Sequence, residues 1–269
     1  IQSTLFVQKE EQNFVDYLTQ QVPTLIGQYQ IPGAAIGTIN NGQKEYLKYY
    51  GFKDKNQTGP ISEDTLFRIE SITKMLTAYG VMKLVEEKEI ALTDSITQYL
   101  SRWNIPETEF NEKLITIQNL LSHNSGLPFG TYNTYDNDSM IPSLVQTLNG
   151  YGGAPVAKPV NKPGDVFEYA NQGYALLELM IEEITQRPFE DYMAENILLP
   201  LNMHHSAFKW NSYVSENISG FYDEHNESVL NFREPIQANG GLYSTLSDLL
   251  NFQQSWMLDW DEDFIHPAV

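Results

Sequence analysis

A serine followed three residues later by a lysine occurs twice in this chain, at Ser71-Ile72-Thr73-Lys74 and at Ser206-Ala207-Phe208-Lys209. A serine hydroxyl is a weak nucleophile until a neighbouring base takes its proton. On a helix, residues i and i+3 share a face, so each lysine amine could reach its serine oxygen. A serine at a helix start also lies near backbone N–H groups that favour developing negative charge. The pattern alone does not choose between the two copies.

A second pattern, tyrosine-x-asparagine, is also duplicated, as Tyr169-Ala170-Asn171 and Tyr135-Asp136-Asn137. In an extended segment, residues i and i+2 project the same way, so a phenol and an amide can face one cleft. A phenol beside an ammonium can trade protons with a serine or a leaving group. The amide can hold a substrate amide or orient the lysine. The bland alternative for Tyr169 is an aromatic at the core edge ahead of the next helix.

These side chains need elements to hold them. Residues 9–29 carry a helical pattern that Pro23 is expected to interrupt. Residues 34–39 and 45–50 flank Asn41-Gly42, a pair that tolerates positive φ and so favours a two-residue hairpin turn. From about residue 71 the pattern turns helical. Met75, Ala78, Met82 and Val85 form one expected apolar stripe, and Ser139 and Pro142 open an expected helix ending near Gly150. Tyr174, Leu177, Ile181 and Ile184 mark another helix, residues 189–199 a third, and Ser244 caps a last one to about Leu258. This order does not read as alternating βαβ units. No convincing strand after residue 71 is available to pair with the hairpin, which would be marginal alone.

The surrounding text separates the duplicates. Phe67-Arg68-Ile69-Glu70-Ser71-Ile72-Thr73-Lys74, continuing to Leu84-Val85-Glu86-Glu87, resembles the nucleophile helix of class C β-lactamases and related D,D-peptidases and esterases. Residues 115–128, ending Ser122-His123-Asn124-Ser125-Gly126-Leu127-Pro128, are similar to the segment that follows it. Residues 163–177, with Tyr169-Ala170-Asn171, are similar to the second catalytic element, and Pro200-Leu201-Asn202-Met203 and Asn239-Gly240-Gly241-Leu242-Tyr243-Ser244-Thr245 continue the match in order. Class A β-lactamases and many penicillin-binding proteins pair S-x-x-K with S-D-N, so a serine stands in them where Tyr169 stands here. That difference points to the class C-like branch.

The resemblance implies an α+β, β-lactamase/transpeptidase-like fold: an N-terminal helix and antiparallel strands plus a large helical region. Its expected parts are residues 1–66, helix and hairpin; 67–258, mainly helical and carrying the site; and 259–269, an acidic tail. It implies a serine hydrolase acting on amides or esters through an acyl-serine. Ser71 would be the nucleophile, Lys74 and Tyr169 its proton-handling partners and Asn171 a substrate contact. No metal or cofactor is implied. Peptidoglycan stem peptides, β-lactams and simple esters are all compatible substrates. One element departs. The third motif, Lys or His then Thr or Ser then Gly, occurs nowhere in these residues, and Lys162-Pro163-Gly164 is the only K-x-G. The missing motif and the unpaired hairpin together suggest a chain cut short before its closing strands. A non-catalytic binding or scaffold relative is therefore the competing class.

Composition bounds the partners. Sixteen Lys+Arg against 35 Asp+Glu give a net charge of −19, a field that repels nucleic acid and anionic lipid. No apolar run approaches the length of a membrane span. With no cysteine, disulfides, thiolate metal sites and a Cys nucleophile are excluded, which fits an exported bacterial protein. No G-x-S-x-G elbow supports a Ser-His-Asp hydrolase. His204-His205 lacks zinc-ligand spacing, and His123 reads as a helix-end histidine.

Overall fold

The computed structural model describes residues 2–136, 138–223, 225, 227–229 and 233–258, by backbone alone at 2–13 and 258. Helix α1 (Gln2–Gln28) leads into strand β1 (Gly33–Asn40), which pairs antiparallel with β2 (Gln43–Gly51) across Asn41-Gly42, both at positive φ. That is the turn those two residues favour. Pro23 does not break α1. Pro23 and Thr19, whose carbonyl loses its partner, are both exposed, so water can take the lost bond.

After β3 (Phe67–Arg68), a 3₁₀ turn (Glu70–Ile72) runs into α2 (Thr73–Glu86). The expected stripe on α2 is displaced by about one residue. Met75 is half exposed, while Thr73, Lys74, Leu76, Thr77, Gly80, Val81 and Leu84 are buried. Polar residues that bond inward set the buried face: the Thr77 hydroxyl donates to the Ala238 carbonyl, and Gly80 gives room to Met193. Helix α3 (Ile117–Leu121) follows, closed at its N-terminus by a capping box between Thr116 and Asn119. Helix α4 (Leu144–Leu148) starts later than its sequence suggests, because Ser143, not Ser139, accepts from the Gln146 N–H.

Helix α5 (Asn171–Thr185) buries Gln172 to Ile181 without a break and is the central element. Helix α6 (Phe189–Met193) continues as a π turn (Ala194–Leu198). Then come α7 (Ser212–Asn217), β4 (Phe221–Tyr222) with β5 (Ser228–Val229), the single turn α8 (Gln237–Gly240), β6 (Tyr243–Ser244) and α9 (Leu246–Leu258). Thr245, not Ser244, accepts the Asp248 N–H at the start of α9. The main core gathers α2, α3, α5 and α6 around Leu76, Leu84, Leu120, Leu176, Leu177 and Phe189.

Two-residue strands therefore do occur after residue 71. Strand β6 pairs with β3, and β4 pairs with β5, so none of them joins the hairpin. Instead α9 lies across β1, where Gly37 leaves space for Leu250 and Leu246. No helix among the described residues is long and apolar enough to cross a membrane. The acidic tail at 259–269 lies outside the described residues.

Candidate active site

Antiparallel pairing of β3 with β6, Arg68 opposite Tyr243, brings the segment ahead of Ser71 beside the Asn239–Thr245 segment. The chain then turns sharply. Glu70 takes φ +48°, a left-handed conformation that side chains with a Cβ adopt at a cost of roughly 1–2 kcal/mol. Ser71 follows, exposed, in the 3₁₀ turn ahead of α2, where the Ile72 N–H bonds the Ile69 carbonyl and the Thr73 N–H the Glu70 carbonyl.

Lys74, one turn on, is 6% exposed. Its Nζ donates to Ser71 Oγ at 3.2 Å and to the Asn239 carbonyl at 2.9 Å. It also sits over the rings of Tyr169 and Tyr174, at 4.9 and 5.4 Å. Burial lowers the Lys74 pKa, against hydrogen bonding to Tyr169 and the Glu70 carboxylate, which raise it. A larger share of neutral amine results, and a neutral amine can accept a proton.

The third group arrives from the other side of the chain. Tyr169 precedes α5, and its hydroxyl donates to Ser71 Oγ at 2.8 Å. The segment ending in Tyr169 is fastened to the stretch after α3. Glu168 N–H donates to the His123 carbonyl at 2.7 Å, Ala170 N–H to His123 Nδ1 at 3.2 Å, and Gly164 N–H to the Asn124 carbonyl at 2.8 Å. Gly126, at φ +78°, admits the Asn161 carbonyl into the space a Cβ would occupy, so no larger residue fits. The His123 ring lies 4.3 Å from the Tyr169 ring and 5.4 Å from Tyr174. Burial and then Lys74 lower its pKa to about 4, so the ring is neutral near pH 7.

The floor under Lys74 is the α8 turn. Thr77 holds the Ala238 carbonyl at 2.7 Å, and Tyr132 donates to Asn239 Oδ1 at 2.5 Å. The wholly buried Glu178 accepts from the Ala238 N–H at 2.8 Å, and burial raises its pKa well above the carboxylate range. Arg68, itself buried, pairs with buried Glu234 and with exposed Glu70, at 3.1 Å for the latter. Asn171 stands beside Tyr169, but its Nδ2 donates to the Gly130 carbonyl at 3.2 Å.

The duplicates go elsewhere. Ser206 Oγ bonds Asp248 and Ser244, both at 2.8 Å, and Lys209 is exposed, 3.9 Å from Glu190. Tyr135 bonds backbone to backbone with Arg233, and Asn137 lies outside the described residues. His204 and His205 are both exposed, and His205 approaches Asp248 at 3.6 Å. The parts played by Glu178, Tyr132, the Asn239 carbonyl and the His123 ring do not show in the sequence. Asn239 acts through its carbonyl, which every residue type carries, and the Ala170–His123 bond joins positions 47 residues apart.

A serine oxygen that meets both a lysine amine and a tyrosine hydroxyl can be compared with known families. The β-lactamase family profile matches residues 8–261. This chain belongs to the β-lactamase family. Protein flp of Staphylococcus aureus (strain NCTC 8325 / PS 47) is 32% identical over 203 residues, 74% of this chain and 40% of that protein. The octameric penicillin-binding protein homologue of Pyrococcus abyssi superposes with a TM-score of 0.76 at 29% identity. The match covers 90% of this chain and 56% of that one. A class C β-lactamase gives 0.74 at 25% identity, covering 92% and 65%. The fold is thus the α+β β-lactamase/transpeptidase-like fold, and the family is one of serine hydrolases. The chain spans 40% of the length of flp, and 56% and 65% of the two solved relatives.

Proposed function

We propose that this chain is a serine hydrolase that opens amide or ester bonds through an acyl-serine at Ser71. The observation that carries the reading is the convergence of Lys74 Nζ, at 3.2 Å, and the Tyr169 hydroxyl, at 2.8 Å, on one serine oxygen. Neutral Lys74 accepts the Ser71 proton as Oγ bonds the substrate carbonyl carbon, and the carbonyl oxygen takes the displaced electron pair. The Ser71 N–H, at the open start of its turn, donates to that oxygen. Collapse breaks the bond to the leaving group, which receives a proton through the Tyr169 hydroxyl. Water then attacks the acyl-serine by the same route in reverse, releasing the acid and restoring Ser71. Asn171, with Nδ2 already on Gly130, offers Oδ1 to a substrate N–H.

The names of the relatives support trying β-lactams and peptides as substrates. A binding relative without turnover is the second reading. Treating the protein with a fluorophosphonate and, separately, with a β-lactam, then weighing it intact, separates the two. A single covalent adduct supports the hydrolase. No adduct with either reagent supports the binding relative.

A further inference from the structure

The backbone outlier at Glu70 stands directly before the proposed nucleophile. A left-handed φ favours glycine, yet this position carries a charged side chain that is 60% exposed. Strain of that kind is retained where the surrounding structure over-determines it, and it concentrates at functional sites. Arg68 is shared between Glu70 and Glu234, so one cation answers two anions. Arg68 and Glu234 are buried, which leaves Glu70 as the one of the three that meets solvent. Lys162, near Tyr169 in sequence, is neutralised by Asp165 at 3.0 Å. The His123 ring is neutral near pH 7, and Lys74 is buried with its pKa lowered. Glu70 immediately precedes Ser71, and after burial and Tyr169 its carboxylate also bears on the Lys74 amine, which touches Ser71 Oγ.

We propose that Glu70 is a specificity determinant that makes the Ser71 site select substrates with a cationic group near the scissile carbonyl over neutral or carboxylate-bearing ones. This rests on the hydrolase reading of the same site. A single carboxylate acting over about 8 Å at an interfacial dielectric gives a preference of about five- to thirtyfold, which salt screens.

Three acetate esters of matched size, ending in a trimethylammonium, a tert-butyl or a carboxylate group, form the test. At low ionic strength kcat/KM should rank cationic, neutral, anionic, with about five- to thirtyfold between the first two. The ratio should fall towards one in Glu70→Gln, and towards one in the parent protein at about 0.5 M salt. A general loosening of the loop would slow all three esters alike and leave the ratio unchanged. A flat ranking in the parent, or an unchanged ranking in Glu70→Gln, overturns the proposal. If none of the esters is hydrolysed, fluorophosphonate labelling of Ser71 decides the hydrolase reading and equilibrium binding decides the inference. NMR titration of Ser71→Ala should then show the trimethylammonium ester binding more tightly than its tert-butyl match. That difference should vanish in the Ser71→Ala/Glu70→Gln double variant. Equal affinities in Ser71→Ala overturn the proposal.

Discussion

Lys74 and Tyr169 share one oxygen, so they should behave as one unit. Lys74→Ala or Tyr169→Phe should each slow acylation by about 10²–10⁴-fold, the range of general acid–base groups. The double variant should lose little more than either single one, because groups acting together share one function. Near-normal acylation by Lys74→Ala in stopped-flow labelling would remove lysine from the mechanism. His123 offers a pH test. Its folded pKa is about 4, against about 6.5 for a free imidazole. Between those values the unfolded chain takes the proton and the folded chain does not. Stability from the neutral ring is therefore full above about pH 6.5 and is lost as pH falls towards 4. His123→Asn should flatten that part of the Tm-against-pH curve. An unchanged slope would show that the ring takes its proton as readily in the folded protein. At this scale the meeting of Ser71, Lys74 and Tyr169 was legible, because their neighbours in sequence choose between the duplicated motifs. Glu70 was not, because its exceptional feature is a backbone angle.

Among the elements, the α8 turn fixes the height of the lysine. Glu178 accepts the Ala238 N–H from inside the core, with no water to replace it. Glu178→Ala should cost about 1–3 kcal/mol, the penalty of a buried group left without its partner. Glu178→Gln, which keeps an acceptor, should recover most of it. Urea unfolding measures both, and equal losses would show that the acceptor is not what matters. Sequence periodicity found the long helices because α5 is apolar enough to mark itself. It misplaced the α2 stripe because Thr73, Lys74 and Thr77 face inward to bond α8 and the approach to β6, and inward polar residues look like surface until their partners are known. The caps moved by one to four residues for a similar reason. Ser139 and Ser143, or Ser244 and Thr245, are equal candidates until the backbone N–H that each can reach is seen.

For the molecule as a whole, the hairpin is the exposed element. Among the described residues β1 and β2 pair only with each other, and Leu47 on β2 is 38% exposed. Unpaired strand edges template association with other chains. Sedimentation velocity should show self-association that grows with concentration, and Leu47→Lys should reduce it. A monomer across the whole range would show that the hairpin edges are closed to other chains. The order of helix, hairpin and helical region was legible because hairpin turns and helical stripes are local signals. The lodging of α9 across β1 was not, since it depends on Gly37 and Leu250, at opposite ends of the chain. The central claim remains the serine itself. Fluorophosphonate labelling followed by peptide mapping should place one adduct on Ser71 and none on Ser71→Ala. An adduct on Ser206 or Ser125, or one that persists in Ser71→Ala, would contradict the account.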